Sequence, residues 1–547
     1  MDELLSERYA NDLDGVLSCY DRIVITGSLQ PFCYAQGMTH YLYQQGIRIF
    51  DYPKFAEPLR DRIRENTEAL AKANGVQIEF VRKKKDFRKE NRVQQILKKR
   101  GDHPGLVHIF GAMEACSSYR PWHDKATGKT YLKSDTTKCM TYYFYFLDEQ
   151  LGLCYLRVPT WCPFRLQFYC NGHNWLANQL KQRGIAYKML DNAFVQIADY
   201  AVANQLANAI DVELLHFRLD AFAKKYCPVI TDLKLTYYWS IMQAEYATDL
   251  VFKSREALQA FYPHLLETLT HAVKPADIAT FLGRKLNGNY QGEMGNRFNK
   301  RWLGTRIKHQ MGPISIKMYD KFRCILRIEP TVNDVAFFKH YRQVQHRDGS
   351  TTTCWAPMKK TIHSLPALRE LLFAANQRYL KFISAIATPQ VGVAKLHKLA
   401  ETKTEDQHRH KGFNLFSEED TCLFRSLLQG EFFISGFTNK QLRTYLPDKS
   451  ASQVTRLLKR LRVHGVIKKV GKCYKYYLTN FGRETAAMAL KLREMVVIPT
   501  LAYADNSLAN FLVFCTRISF FSYYASSGIG PRRCGPCGAV ERMVLSL

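Results

Sequence analysis

Between Arg306 and Arg342 the chain reads RIKHQMGPISIKMYDKFRCILRIEPTVNDVAFFKHYR, and two short runs in it carry charged residues at fixed offsets. Ile314 to Tyr319 and Cys324 to Ile328 alternate apolar and polar residues, which predicts two strands, each with one buried face, joined by a turn at Asp-Lys-Phe-Arg. A period of two sets Lys317, Tyr319 and Lys321 on one face and Ile316 and Met318 on the other, with Arg327 and Glu329 pointing away from Ile328. Such a hairpin brings together a nucleophile, a cation for phosphate and a carboxylate for a metal. Its plainer alternative is a Lys321/Glu329 cross-strand ion pair beside a half-buried tyrosine.

Two more carboxylates have useful spacing. Glu245 and Asp249 stand four apart in YYWSIMQAEYATDLVF, whose pattern predicts a helix with both acids on one face. Like charges there repel unless a cation, an arginine or a metal, lies between them. With Glu329 they would make a Mg²⁺ or Mn²⁺ site for phosphoryl transfer, in which Tyr319 attacks the phosphate and Lys321 or His309 steadies the developing charge. A phenol with an ordinary pKa of about 10 is mostly protonated at neutral pH, so Lys317 and Lys321 would have to favour the phenolate.

The order strand, Tyr-Asp-Lys, turn, strand, Arg-Ile-Glu resembles the signature of rolling-circle replication initiators of plasmid and filamentous-phage type. The resemblance covers the hairpin only. It implies a nickase in which Tyr319 is the nucleophile that stays linked to the 5′ end of the cut strand, and Glu329 a metal ligand. The chain departs from that pattern in having no His-hydrophobic-His pair.

Composition narrows the partners. The 547 residues are 46% hydrophobic, enough for a globular protein of several domains, and carry a formal net charge of +29. That excess exceeds what solubility needs and points to a polyanion, nucleic acid ahead of a membrane surface. The 31 Tyr and 33 Phe add stacking surface suited to single strands. The acidic start MDELLSERYANDLDG lacks a signal-peptide pattern, so a cytoplasmic location is expected. Fifteen irregularly spaced cysteines read as reduced core residues, and Cys534-x-x-Cys537 has no second pair to complete a zinc site. Arg517 interrupts the apolar run LANFLVFCTRISFFSYYA, which argues against a membrane span.

The elements that must position these residues read as an α+β chain: a mixed-sheet N-terminal region followed by a C-terminal winged helix-turn-helix. From Asp21 strands and helices alternate, suggesting a partly parallel sheet. No G-x-G-x-x-G opens a helix, and Gly128-Lys129-Thr130 has His123 where a P-loop needs glycine, so no cofactor other than the metal is expected. Arg82 to Arg100 holds ten Lys/Arg against two Asp/Glu at helical spacing, a helix able to track phosphates. Asp148 to Gly152 marks a hairpin turn. His173 begins a helix, where a histidine is more often structural than a ligand. Residues 1–400 form the core region, as one or two subdomains (1–210 and 211–400); 401–415 read as a linker, 416–498 as the winged helix and 499–547 as an irregular extension.

In the C-terminal part, Ser417 caps a first helix, TNKQLRTYL is a second, and SASQVTRLLKRLRVHG is a third, ended by Gly465. Two short strands and a last helix follow. From Phe416 to Met495 this order resembles the winged helix-turn-helix of MarR-type transcription regulators. It implies that Ser452, Gln453, Thr455, Arg456, Lys459 and Arg460 face a major groove and its phosphates, with Lys468, Lys469 and Lys472 on the wing. Two functions follow as expectations. One is a DNA-binding protein of a mobile element or replicon that nicks or joins DNA at a metal-assisted tyrosine. The other is a MarR-like regulator with a non-catalytic N-terminal region. The expected partners are duplex DNA at the winged helix, single-stranded DNA at the N-terminal region and a second copy of the chain.

Overall fold

The computed structural model describes residues 4–81, 87–286, 290–301, 304–386, 389–471, 474–499 and 501–502. Two compact units divide the chain, Met1–Thr388 and Pro389–Leu547. The class is α+β, with a large mixed sheet in the first unit.

That sheet is built from β1 (Leu13–Leu29), β2 (Ile78–Phe80), β3 (Gly105–Asp124), β4 (Lys129–Asp148), β5 (Gly152–Pro159) and β6 (Leu166–Cys170). A separate hairpin, β7 (Tyr187–Leu190) and β8 (Ala193–Ile197), follows; the sheet resumes with β9 (Tyr237–Phe252), β10 (Met294–Arg301), β11 (Gly304–Met311), β12 (Ile314–Lys321) and β13 (Ile325–Val332). The order across its eleven strands is β10-β11-β12-β13-β9-β1-β6-β5-β4-β3-β2. Only β2 and β3 run parallel; every other neighbouring pair is antiparallel. The parallel component is therefore one edge strand, because most strands are joined by tight turns, which impose antiparallel pairing. Asp148 to Gly152 is such a turn, as its sequence predicts.

β12 and β13 are the expected strands, with Lys317 opposite Glu329 and Tyr319 opposite Arg327. The helix expected over Tyr237–Phe252 is instead β9, held between β1 and β13. Its tyrosines, tryptophan and closing Leu-Val-Phe suit a strand bordered on both sides. Residues four apart share a face in a strand as they do in a helix, so Glu245 and Asp249 still point the same way.

Helices cover one face of the sheet. Ile316, Met318 and Ile328 join Tyr20, Tyr246 and helix Leu365–Ile386 in the main core. Tyr20 donates to the Leu365 carbonyl, and Asn376 from the same helix donates to the Tyr246 carbonyl and the Thr248 hydroxyl. On the other face, helices Gly172–Gln182 and Tyr200–Asn208 pack on Leu17 and Cys19. The polar residues of β12, β13 and β9 share that second face. The described cysteines are free and mostly buried.

In the second unit, helix Pro389–Ala400 leads into a short hairpin, Lys403–Glu405 with His408–His410, over residues expected to be a linker. Helices Glu418–Leu427, Gly430–Ser435, Asn439–Thr444 and Ala451–Val463, a two-stranded hairpin (Ile467–Lys469 with Tyr476–Leu478) and helix Asn480–Leu492 follow. Ser417 caps its helix as expected, and Val454, Leu458 and Leu461 form the buried stripe of Ala451–Val463. Gly430–Ser435 was not anticipated. Lys472, Cys534, Cys537 and nearly all of the 499–547 extension lie outside the described residues. Among the described residues no helix is long and apolar enough to cross a membrane.

Candidate active site

A cavity of about 810 Å³ opens where β1, β9, β12 and β13 turn their polar face towards the β7–β8 turn. Its lining includes five cations, Arg22, Arg88, Arg306, Lys317 and Lys321, and five acids, Asp21, Asp191, Glu245, Asp320 and Glu329, with Tyr319 among them.

Asp21 reaches this face through a break in register. Tyr20 pairs with Tyr246 and Arg22 with Glu245, so Asp21 is the extra residue of a β-bulge. A bulge re-aims side chains, and here it lets both Asp21 and Arg22 border the cavity. Asp191 and Asn192 occupy the two-residue turn between Leu190 and Ala193. Asp191 has φ 52°, a conformation that Asp and Asn tolerate in such turns. His173 is brought in by Gly172, where an added Cβ would sit 2.1 Å from the Tyr20 carbonyl oxygen. Only glycine lets the helix start that close to β1.

At the floor lies Arg327, fully buried. Its Nε and Nη2 donate to the two oxygens of Asp249, each at 2.6 Å, and Nη1 donates to Asp21 at 3.2 Å. Asn192 and Asn171 also donate to Asp21 Oδ1, and His173 Nδ1 lies 3.0 Å from it. Burial would raise both carboxyls, but the Arg327 guanidinium outweighs it, holding Asp249 at about 2 and Asp21 well below the usual range. Burial lowers the His173 imidazole, but Cys19 and the Asp21 and Asp249 carboxylates outweigh it and raise the group above its ordinary value, yet an Arg327 N–H 3.1 Å from Nε2 needs a lone pair there. The contacts therefore suit a neutral imidazole with its proton on Nδ1.

Above this floor Lys317 donates to Glu245 at 3.0 Å and to Glu329 at 2.5 Å, and the Tyr319 hydroxyl donates to the other Glu329 oxygen at 2.8 Å. Carboxylate oxygens of Asp21, Glu245 and Glu329 all lie within 4.8 Å of one another. Burial raises the Glu329 carboxyl against the pull of Lys317. Lys321 hydrogen-bonds to the Asn192 side chain, and burial with the nearby Arg327 charge lowers its ammonium to about 8.

Several expectations change. Glu245 and Glu329 do meet, but Asp249 is engaged by Arg327 and the third carboxylate of the trio is Asp21. Glu329 pairs with Lys317, not Lys321, because Lys317 is directly opposite it. The lysines do not favour a phenolate: burial and the Glu329 charge push Tyr319 well above its ordinary value. His309 is on the other face of the sheet, buried between Asn296 (2.7 Å) and Tyr379 (2.9 Å), with burial lowering it to about 4. It takes no part in the cavity. Arg88 comes from the basic run and lines the cavity, while Lys89 covers the Tyr143 ring at 3.1 Å and Arg92 pairs with Glu79.

The sequence pattern does not single out Asp21, Asp191 or Asn192, and His173, which reads as structural at a helix start, lies 3.0 Å from Asp21. An acid inside the apolar run LSCYDRIVI and an Asp-Asn pair between two short strands are signals that could have found the first three.

In the second unit Ser452, Arg456, Lys468 and Lys469 are exposed. Gln453 closes a capping box with Ser450, and Thr455 is tied to Asn439 and Ala451. Lys459 lies 3.5 Å from Asp406. Arg460 is committed inward, to Asp420 at 2.9 and 3.0 Å, to the Lys411 and Gly412 carbonyls and over the Phe413 ring, so it does not face a groove. No protein-family model, curated protein or solved structure matches this chain.

Proposed function

We propose that this is a DNA-processing protein, of the kind a mobile element or replicon encodes, whose cavity cuts or joins strands at Tyr319. The observation that carries the reading is the Tyr319 hydroxyl donating to Glu329 in a polar cavity bordered by Arg22, Arg306 and Lys321. Glu329, whose basicity burial increases, takes the phenol proton as the tyrosine oxygen bonds to phosphorus. The bond from phosphorus to the 3′ oxygen breaks, that oxygen takes a proton from water as it leaves, and the 5′ phosphate stays on Tyr319. The cations face the non-bridging phosphate oxygens, where charge accumulates.

Asp21, Glu245 and Glu329 suit Mg²⁺ or Mn²⁺, since all their donor atoms are oxygens and the three carboxylates outnumber the two cations that contact them, Lys317 and Arg327. Such an ion would compete with Lys317 for the two glutamates and would neutralise phosphate charge.

Two further features support DNA as the partner. Hairpin Lys339–Gln345/Thr351–Pro357 exposes Tyr341 and Trp355 as a cross-strand aromatic pair, a stacking surface for unpaired bases. The second unit's helix Ala451–Val463 and following hairpin carry Arg456, Lys468 and Lys469 outward, which supports the winged-helix reading and duplex binding.

Labelled single-stranded DNA incubated with the protein and Mn²⁺ should yield an adduct that survives denaturation and is lost in Tyr319→Phe. Adduct at wild-type level in that variant would remove Tyr319 from the chemistry. A MarR-like regulator is the second reading, favoured by the ion pairs that already satisfy Asp249, Glu245 and Glu329. Salt-sensitive duplex binding with no adduct on any strand would select it.

A further inference from the structure

Away from the cavity, two histidines and a glutamate from distant parts of the chain converge at the surface. Glu213 and His216 lie three apart on helix Val212–Tyr226 and so share a face. His363 belongs to the turn Ile362–Ser364 that leads into helix Leu365–Ile386. The three ligand-capable atoms lie within 4.8 Å of one another. His363 Nδ1 is 3.2 Å from a Glu213 oxygen, and the two imidazole centroids are 5.4 Å apart.

We propose that Glu213, His216 and His363 bind a zinc-class divalent ion. The donor set decides the class: two imidazoles and one carboxylate suit Zn²⁺ or Co²⁺, whereas Mg²⁺ prefers oxygen ligands alone. This site does not depend on the DNA reading.

The backbone is prepared for the task while the tips are free to adjust. Asp211 caps the helix by accepting from the Glu213 and Leu214 N–H groups, and Leu215 and Leu219 anchor it in the core. Ile362 and Ser364 are buried on either side of His363. Tetrahedral ligands at about 2.0–2.1 Å from zinc stand roughly 3.3 Å apart, so the side chains need close by at most about 1.5 Å. Exposures of 81% for Glu213 and 37% and 41% for the histidines leave them room. Asp220, one turn beyond His216, has Oδ2 3.8 Å from His216 Nε2 while Trp239 Nε1 donates to its Oδ1 at 2.7 Å. At that separation Asp220 makes no hydrogen bond to the ring; an approach of about an ångström would bring it to the position from which a carboxylate holds a ligating imidazole. The fourth position stays open to water. Bound there, the ion clips helix Val212–Tyr226 to the start of the helix that backs β9 and β13.

The test uses the full-length chain stripped with chelator, titrated with Co²⁺ and then with competing Zn²⁺. Wild type should develop visible ligand-field absorption at one equivalent, bleached by Zn²⁺, and the ion should raise the thermal midpoint. His216→Ala and His363→Ala, both exposed changes whose folding circular dichroism can verify, should each weaken binding by on the order of 100-fold. His397→Ala, at an exposed histidine outside the trio, should leave it unchanged. Absence of the absorption in wild type, or titrations unaltered in both histidine variants, would overturn the proposal.

Discussion

Replacing Arg327 by methionine tests the floor of the cavity. Methionine reproduces the Arg327 stem as far as the Nε position, so the change removes the guanidinium with its charge and hydrogen bonds and keeps the apolar part. It leaves Asp249 and Asp21, both buried, without the cation that holds them ionised. Breaking such a pair from one side costs about 3–5 kcal/mol. The first unit spans 388 residues; at about 2.1 cal/mol/K per residue its unfolding entropy is roughly 0.8 kcal/mol/K, so the midpoint should fall by about 4–6 °C. The pH dependence is more diagnostic. In wild type the folded carboxyls lie below their unfolded values, so their contribution is present above about pH 4 and is lost as pH falls through the folded values. With Asp249 at about 2 against about 3.9 unfolded, that share is about 2.6 kcal/mol. In Arg327→Met burial is opposed only by His173 and, at Asp21, by Lys321 and the Asn171 and Asn192 amides, and it raises both carboxyls above their unfolded values, so the folded state takes up protons first. The deficit relative to wild type should therefore shrink as pH is lowered from 7 towards 4. Melting both proteins by scanning fluorimetry across that range measures it. An unchanged midpoint, or a deficit constant with pH, would refute the account of a guanidinium clamping two buried carboxylates.

Other expectations follow from single contacts. His309, lowered to about 4 by burial, should cost about 3 kcal/mol of stability as pH falls from about 6.5 to 4; H309Q should lose that slope in the same melts, and an identical slope would count against it. Gly172→Ala should displace His173 from Asp21, because the new Cβ meets the Tyr20 carbonyl at 2.1 Å; adduct formation should drop more than tenfold, roughly 1.4 kcal/mol of barrier, and full activity would contradict this. Arg456→Ala should weaken duplex binding and lower its salt slope by about one without changing stability. Arg460→Ala should instead destabilise the second unit by about 3 kcal/mol, since it strands the Asp420 carboxylate; equilibrium unfolding of the two variants separates the roles.

What could be read from the chain was local. The two strands and the shared face of Lys317 and Tyr319 follow from alternation; the register, which sets Lys317 and not Lys321 opposite Glu329, does not. The buried stripe of Ala451–Val463 is expected at Val454, Leu457, Leu458 and Leu461, and all of these but the half-buried Leu457 are enclosed. Pairing between distant strands was not legible. Tyr237–Phe252 becomes a strand because β1 and β13 lie on either side of it, a fact held some 200 residues away in one direction and 75 in the other. Asp21 enters the site through a bulge, which depends on register with β9 rather than on its neighbours in sequence. Charge was legible as composition but not as commitment. Arg460 looks like a groove-facing cation until Asp420, forty residues upstream, claims it.

The placement of β1 also governs how the chain can be made. This strand is central in space yet first in sequence, and its partner β9 follows some 220 residues later. At about 5–20 residues per second, the 308 residues separating Asp21 from Glu329 take roughly 15–60 s to synthesise. Throughout much of that interval β1 offers an unpaired, largely apolar edge from the ribosome-bound chain, the kind of edge on which strands of other molecules add. A chain truncated before residue 237 should accordingly aggregate or remain with a chaperone, whereas one continued past β13 closes the sheet and assembles the cavity in the same event.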